Sequence, residues 1–345
     1  MYRIFVYIVP ALALLVPVAA SAHEVYILSS STIAQDVGMV SPNPIDAFYT
    51  NQGRFFLWGF IAFVTVSTIF CMSIFRVFEA WTNPFLYKLK RYAPLVERVT
   101  LGLTLIAFAY NSALFGPELP LVGIYGAYTP WVVGVLYVSG VLITLGLFTR
   151  IAAFLVALIT LVSIPVHGWY MCTYTAYFVV TIVICIMGGG AYSLDRLLGR
   201  GKKKNTINQL RKRFEPYEML ALRIGFGISV IAAAIFAKFL HTDLALDVIR
   251  IYHLTNYFQF EPLFIVLGAL IIEILIGLFI MFGIEIRWTA LFFLFWLILS
   301  LLYFGEGVWP HLALFGLNFM LFFHGYDRYT IEGRFFKKHP YEPVF

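Results

Sequence analysis

Nine apolar runs, near 55–75, 99–116, 129–148, 151–168, 172–190, 219–240, 262–282, 288–304 and 307–324, set the layout of this chain. Each is close to the roughly 20 residues that a helix needs to cross about 30 Å of hydrocarbon. None alternates polar with apolar positions as a barrel strand would, and open strands would leave backbone groups unpaired in lipid. The pattern predicts an all-α polytopic membrane protein with nine transmembrane helices. Ahead of the runs, Arg3, the apolar stretch 4–19 and Ala20-Ser21-Ala22 have the make-up of a cleaved signal peptide, which would leave His23 as the first residue.

The polar and glycine positions repeat. Arg98 stands four residues before Gly102 at the start of one run, and Arg223 four before Gly227 at the start of another. Gly140, Gly146 and Arg150 return at the same spacing as Gly277, Gly283 and Arg287. Each copy closes on a Tyr and an Asp-Arg pair, at Tyr192, Asp195 and Arg196 and at Tyr326, Asp327 and Arg328. The predicted plan is thus two tandem four-helix bundles plus one extra N-terminal helix. In residues, this gives a signal peptide (1–22), an extracytoplasmic segment (23–54), the extra helix with its connector (55–98), a first unit (99–200), a basic linker (201–218), a second unit (219–325) and a tail (326–345). Ligand sites in duplicated membrane proteins are sought within or between such copies.

Composition agrees with lipid as the solvent, since 61% of residues are hydrophobic and 12% charged, against roughly 25% charged in soluble domains. The net charge of +6 sits in short loops, where Lys and Arg act as topology signals, and no nucleic-acid partner is implied. Counting those loops puts the mature N-terminus outside and the C-terminus in the cytoplasm of a cell membrane, with a bacterial inner membrane as the expected location. The run Arg196 to Arg213 then contacts anionic lipid.

The helix start "RxxxG" or "RxGxG", with "GLFTRIAAFLVAL" in copy one and "EILIGLFIMFGIEIRWTALF" in copy two, resembles the DoxX-like family of small four-helix membrane proteins. Copy two is the better match, with Lys238 after Gly227 and Glu273 ahead of Gly277; copy one has Ala113 and Leu136 at those places. The resemblance implies a four-helix fold for each copy. It also implies a link to membrane electron transfer, because some relatives are subunits of thiosulfate:quinone oxidoreductase or terminal quinol oxidase complexes.

Candidate chemistry concentrates in copy two. Glu273 is expected roughly 16 Å below the outer surface, where a carboxylate must be protonated, paired or facing a wet cavity. Lys238 is the candidate partner, its stem reaching inward or snorkelling outward. His311 and Asn318 share a helix face and, with Glu306, form an outer polar stripe; hydrogen bonding between helices is the plainer role for Asn318. Glu273, His311 and Lys238 are taken as candidate catalytic groups, and Asn318 and Glu306 as candidate cofactor contacts, for a quinone. Copy one is expected to be scaffold. A rival reading gives copper to His23, through its terminal amine and imidazole, with help from His167, His241 or His253. A third is a structural assembly protein without a small-molecule site.

Other chemistry lacks its residues. Cys71, Cys172 and Cys185 form no C-x-x-C pair, so a thiol relay on this chain is not expected. There is no P-loop, G-x-S-x-G elbow or H-E-x-x-H helix, and Gly188-Gly189-Gly190 is expected to loosen a helix exit. The many aromatics near span ends, Tyr170 among them, are expected to form an interfacial belt. The function expected is a subunit linked to quinone and quinol electron transfer, with membrane lipid and a redox protein as partners.

Overall fold

A computed structural model describes residues 28–49, 54–55, 58–63, 66–67, 82–199 and 206–336. The expected signal peptide, His23, Cys71 and most of the run at 55–75 lie outside the described residues. The principal helices are α1 (Ser30–Gly38), α2 (Ala93–Asn111), α3 (Thr129–Leu145), α4 (Thr149–His167), α5 (Thr175–Met187), α6 (Glu218–Ile235), α7 (Thr242–Ile251), α8 (Pro262–Phe282), α9 (Ile286–Phe304) and α10 (Leu312–His324).

Six helical stretches among the described residues are long and apolar enough to cross a membrane: Ala93–Asn111, Leu121–Leu145, Thr149–Met187, Gln209–Leu240, Pro262–Phe282 and Ile286–Phe304. The chain is an all-helical, multi-pass membrane protein. Thr149–Met187, drawn as one straight helix, would run about 58 Å at 1.5 Å per residue. Instead Cys185 Sγ lies 3.6 Å from the carbonyl of Arg150, so the stretch is a hairpin of α4 and α5 turned at Gly168–Tyr174. Arg287 at the start of α9 likewise packs on Gly325 just after α10.

Some boundaries move. The expected border at 98/99 falls inside α2, which starts at Ala93 with Pro94 in its first turn, where a missing N–H costs nothing. The same helix stops at Asn111 rather than 116, because Ser112 turns left-handed and residues 113–120 form a tight loop closed by an Ala113–Pro120 bridge.

The repeat is a repeat of contacts. In copy one α2 crosses α3 at Gly102 and Gly140, and a Cβ on either would meet the other's carbonyl oxygen at 2.7 Å. In copy two α6 crosses α8 at Gly227 and Gly277, where the corresponding approaches are 2.5 and 2.9 Å. Small residues at a membrane crossing let backbones touch, so dispersion and weak hydrogen bonds replace the hydrophobic effect that lipid cannot supply. Gly146 and Gly283 end α3 and α8 with positive φ of 70° and 65°, and the guanidiniums of Arg98 and Arg223 lie against them.

Those arginines gather at one end of the bundle. Arg98 donates to the carbonyls of Gly189 and Tyr192, the latter at 3.0 Å. Arg223 is 3.7 Å from Asp327, and Arg287 donates to Asn83, ahead of copy one's first helix. The Gly188–Gly190 run is therefore occupied by Arg98 and by Arg150, whose side chain rests on Gly188. Asp195 accepts from the amides of Phe148 and Thr149 at 3.0 Å each, capping α4 from the far end of its own copy.

The two copies embrace reciprocally. The first helix of copy one, α2, packs on α10, the last helix of copy two, and α6, the first of copy two, packs on α5, the last of copy one. The close fits alternate: Gly316 faces Thr100 and Glu97 in one interface, and Gly225 faces Val179 in the other. A single apolar core runs through both. The 28–49 segment is docked on this body. Leu28 and Ile33 pack with Leu244 and Val248, and the Pro44–Phe48 turn seats Ala47 against Ala234, Leu267 and Leu270.

Candidate functional site

A cavity of about 670 Å³ opens between the copies at the end away from the arginines. This is within the roughly 300–1,000 Å³ usual for small-molecule sites. Its wall is mostly Phe, Tyr, Leu, Ile, Val and Ala, with Trp296 on α9, and ionisable groups enter it at few places.

The first is Lys238 with Glu273. Past Ile235 the helix α6 widens into a π turn, Phe236–Leu240, which carries Lys238; such turns re-aim a side chain and recur at functional sites. Glu273 lies one turn before Gly277, so the glycine crossing that fixes α8 on α6 also points the carboxylate at α6. The two meet at Nζ to Oε2 3.0 Å, with side chains 6% and 10% exposed. Both line the cavity.

The second is Glu306 with His311. Gly305 ends α9 in the left-handed region, and Glu306 turns back so that Ser300 Oγ donates to its Oε1 at 2.6 Å. His311 Nε2 lies 3.5 Å from Glu306 Oε2. Tyr177 of copy one donates its hydroxyl to the carbonyl of Pro310, fixing the turn that carries His311. Lys238, Glu273, Glu306 and His311 thus converge on one cavity. Asn318 does not join them: its amide donates to Leu314 O at 2.9 Å, within α10.

Copy one contributes more than scaffold. Tyr170, Tyr174 and Tyr177 line the cavity. Tyr174 donates to Glu118 in the 113–120 loop, and the Tyr170 hydroxyl lies 3.0 Å from that of Tyr174 and 3.5 Å from Glu118. Ser229 Oγ donates to Thr173 O, tying α6 to this wall. The offset relating Gly140 to Gly277 and Arg150 to Arg287 also relates Tyr174 to His311. Each copy therefore brings a ring and a loop glutamate, Tyr174 with Glu118 and His311 with Glu306. Tyr170 and Tyr174 lie in the 3-10 turn Gly168–Tyr174, and Tyr177 in the first turn of α5. In copy one the places of Lys238 and Glu273 are held by buried Ala113 and Leu136.

Among the described residues no group of three or more His, Cys, Asp or Glu could hold a metal ion. His241 packs against Phe236 with its ring tilted by 59° and the ring centroids 4.7 Å apart, and His253 is exposed.

Over the same end, Asp36 of α1 is buried. Burial raises its pKa above the ordinary carboxylate value, and Asp247 and Asp243 add to this while Arg250 opposes it. A raised folded-state value means that the docked helix binds the proton more tightly than the released one. Docking should then weaken as pH rises through the raised value and tighten on acidification. Hydrogen exchange of α1 amides is expected to slow as pH falls from above the raised value toward the ordinary carboxylate value, after correction for intrinsic rates, and Asp36→Asn to remove that dependence.

Compared with protein-family profiles, curated proteins and solved structures, the chain has no match.

Proposed function

We propose that this protein is a nine-span membrane subunit that binds a quinone or quinol between its two copies, serving electron transfer with a partner redox protein. The reading is carried by one observation: two ionisable pairs, Lys238 with Glu273 and His311 with Glu306, stand on the wall of a cavity lined mainly by aromatic and aliphatic side chains. A quinone ring asks for a flat apolar slot, donors for its carbonyl oxygens and groups that exchange protons. Lys238 donates to one oxygen while Glu273 balances its charge. His311, oriented by Glu306, serves a second polar position. Reduction to the quinol takes two protons from such groups and two electrons from the redox partner. By the Lys and Arg bias of the loops, the cavity faces the outer side.

Purified protein is expected to carry quinone near one per chain, and Glu273→Gln to lower quinol turnover in membranes by tenfold or more. Protein without quinone, together with unchanged turnover in Glu273→Gln membranes, would sink the reading.

A further inference from the structure

A second cavity, about 280 Å³, adjoins the first. The two share Phe60, Phe260, Phe264 and Gly268 as wall. Every described residue lining the smaller one is Phe, Leu, Ile or Gly, whereas the ionisable groups named above line the larger. It is bounded by α8 on one side and by helical residues of the 54–67 stretch on the other.

Gly268 is the telling residue. It stands inside α8, where glycine is worse than alanine for the helix. The other α8 glycine, Gly277, is explained by its crossing with Gly227. Gly268 has no such contact: a Cβ there would meet nothing within 4 Å, although the residue is half-buried. Its missing side chain leaves open space where the walls of the two cavities meet.

We infer that the smaller cavity is the tail channel of the larger one, so that the ligand is an amphiphile whose polar head sits at Lys238 and Glu273 and whose long apolar tail leaves past Gly268. This deepens the quinone reading and rests on it for the head. An isoprenoid tail and a lipid acyl chain share the same chemistry in such a channel, since both gain by leaving water in proportion to apolar length.

The test uses the full-length protein in nanodiscs, with quenching of Trp fluorescence, Trp296 being in the cavity wall. The probes are a benzoquinone with one isoprene unit, one with six, and a long-chain fatty acid. Wild type is expected to prefer the long-tailed quinone by at least about tenfold. Gly268→Leu is expected to remove that preference, and Gly268→Ala to keep it. Equal affinity for both tails, or a Gly268→Leu variant that keeps the preference, overturns the channel. Fatty-acid binding that is lost in Gly268→Leu, with neither quinone bound, supports the channel and overturns the quinone. Binding of none of the probes overturns both.

Discussion

Glu273→Leu should destabilise the protein by about 3–5 kcal/mol, the usual cost of removing one partner from a buried ion pair. Lys238 would lose the carboxylate whose Oε2 stands 3.0 Å from its Nζ. The double variant Lys238→Met with Glu273→Leu should recover most of that loss, because two desolvated charges are then replaced by apolar side chains. It should nevertheless bind no quinone. Thermal unfolding of the three proteins in one lipid, with ligand binding on the double variant, checks this. A single variant as stable as wild type would mean that the pair is not held as a unit, and would favour a protein without a small-molecule site.

The second large effect belongs to the glycine crossings. Gly277→Leu should prevent accumulation of folded protein, since even a Cβ there falls 2.5 Å from Ile231 Cγ1 and 2.9 Å from the Gly227 carbonyl oxygen. A backbone oxygen cannot swing aside as a long side chain can, so α6 and α8 must separate. Overpacking alone typically costs about 1–3 kcal/mol, and here the helix pair that aims Glu273 at Lys238 goes with it. Gly140→Leu should do the same to α2 and α3, 2.7 Å from Gly102 O. Gly134→Ala, where a Cβ meets nothing within 4 Å, is the control and should be tolerated. Normal membrane levels of the Gly277→Leu protein would contradict the crossing.

The two effects are linked through α8. The residue that sets the helix spacing and the residue that bears the charge are one turn apart, so the register that satisfies the first decides the direction of the second. In copy one the crossing is kept and the charge is absent, with Leu136 in the place of Glu273. Duplication thus supplied two copies of a crossing, and the cavity between them drew its polar groups unequally.

The sequence by itself determined the solvent, the helices and the repeat. Apolar runs of membrane length have few ways to satisfy their backbones, so helices followed from composition and periodicity. The spacing of Arg98, Gly102 and Gly140, and of Arg223, Gly227 and Gly277, was legible because a close helix crossing tolerates few residue types. Lys238, Glu273, Glu306 and His311 stood out as ionisable groups in or beside apolar runs. Only the tertiary structure decided that these four share one cavity, that Asn318 stays within its own helix, and that Tyr170, Tyr174 and Glu118 of copy one belong to the same end. Tyrosine is ordinary at membrane interfaces and glutamate is ordinary in loops, so neither carries a local mark. What gathers them is the reciprocal packing of α2 on α10 and α6 on α5, a contact between segments far apart in the chain that no window of sequence contains.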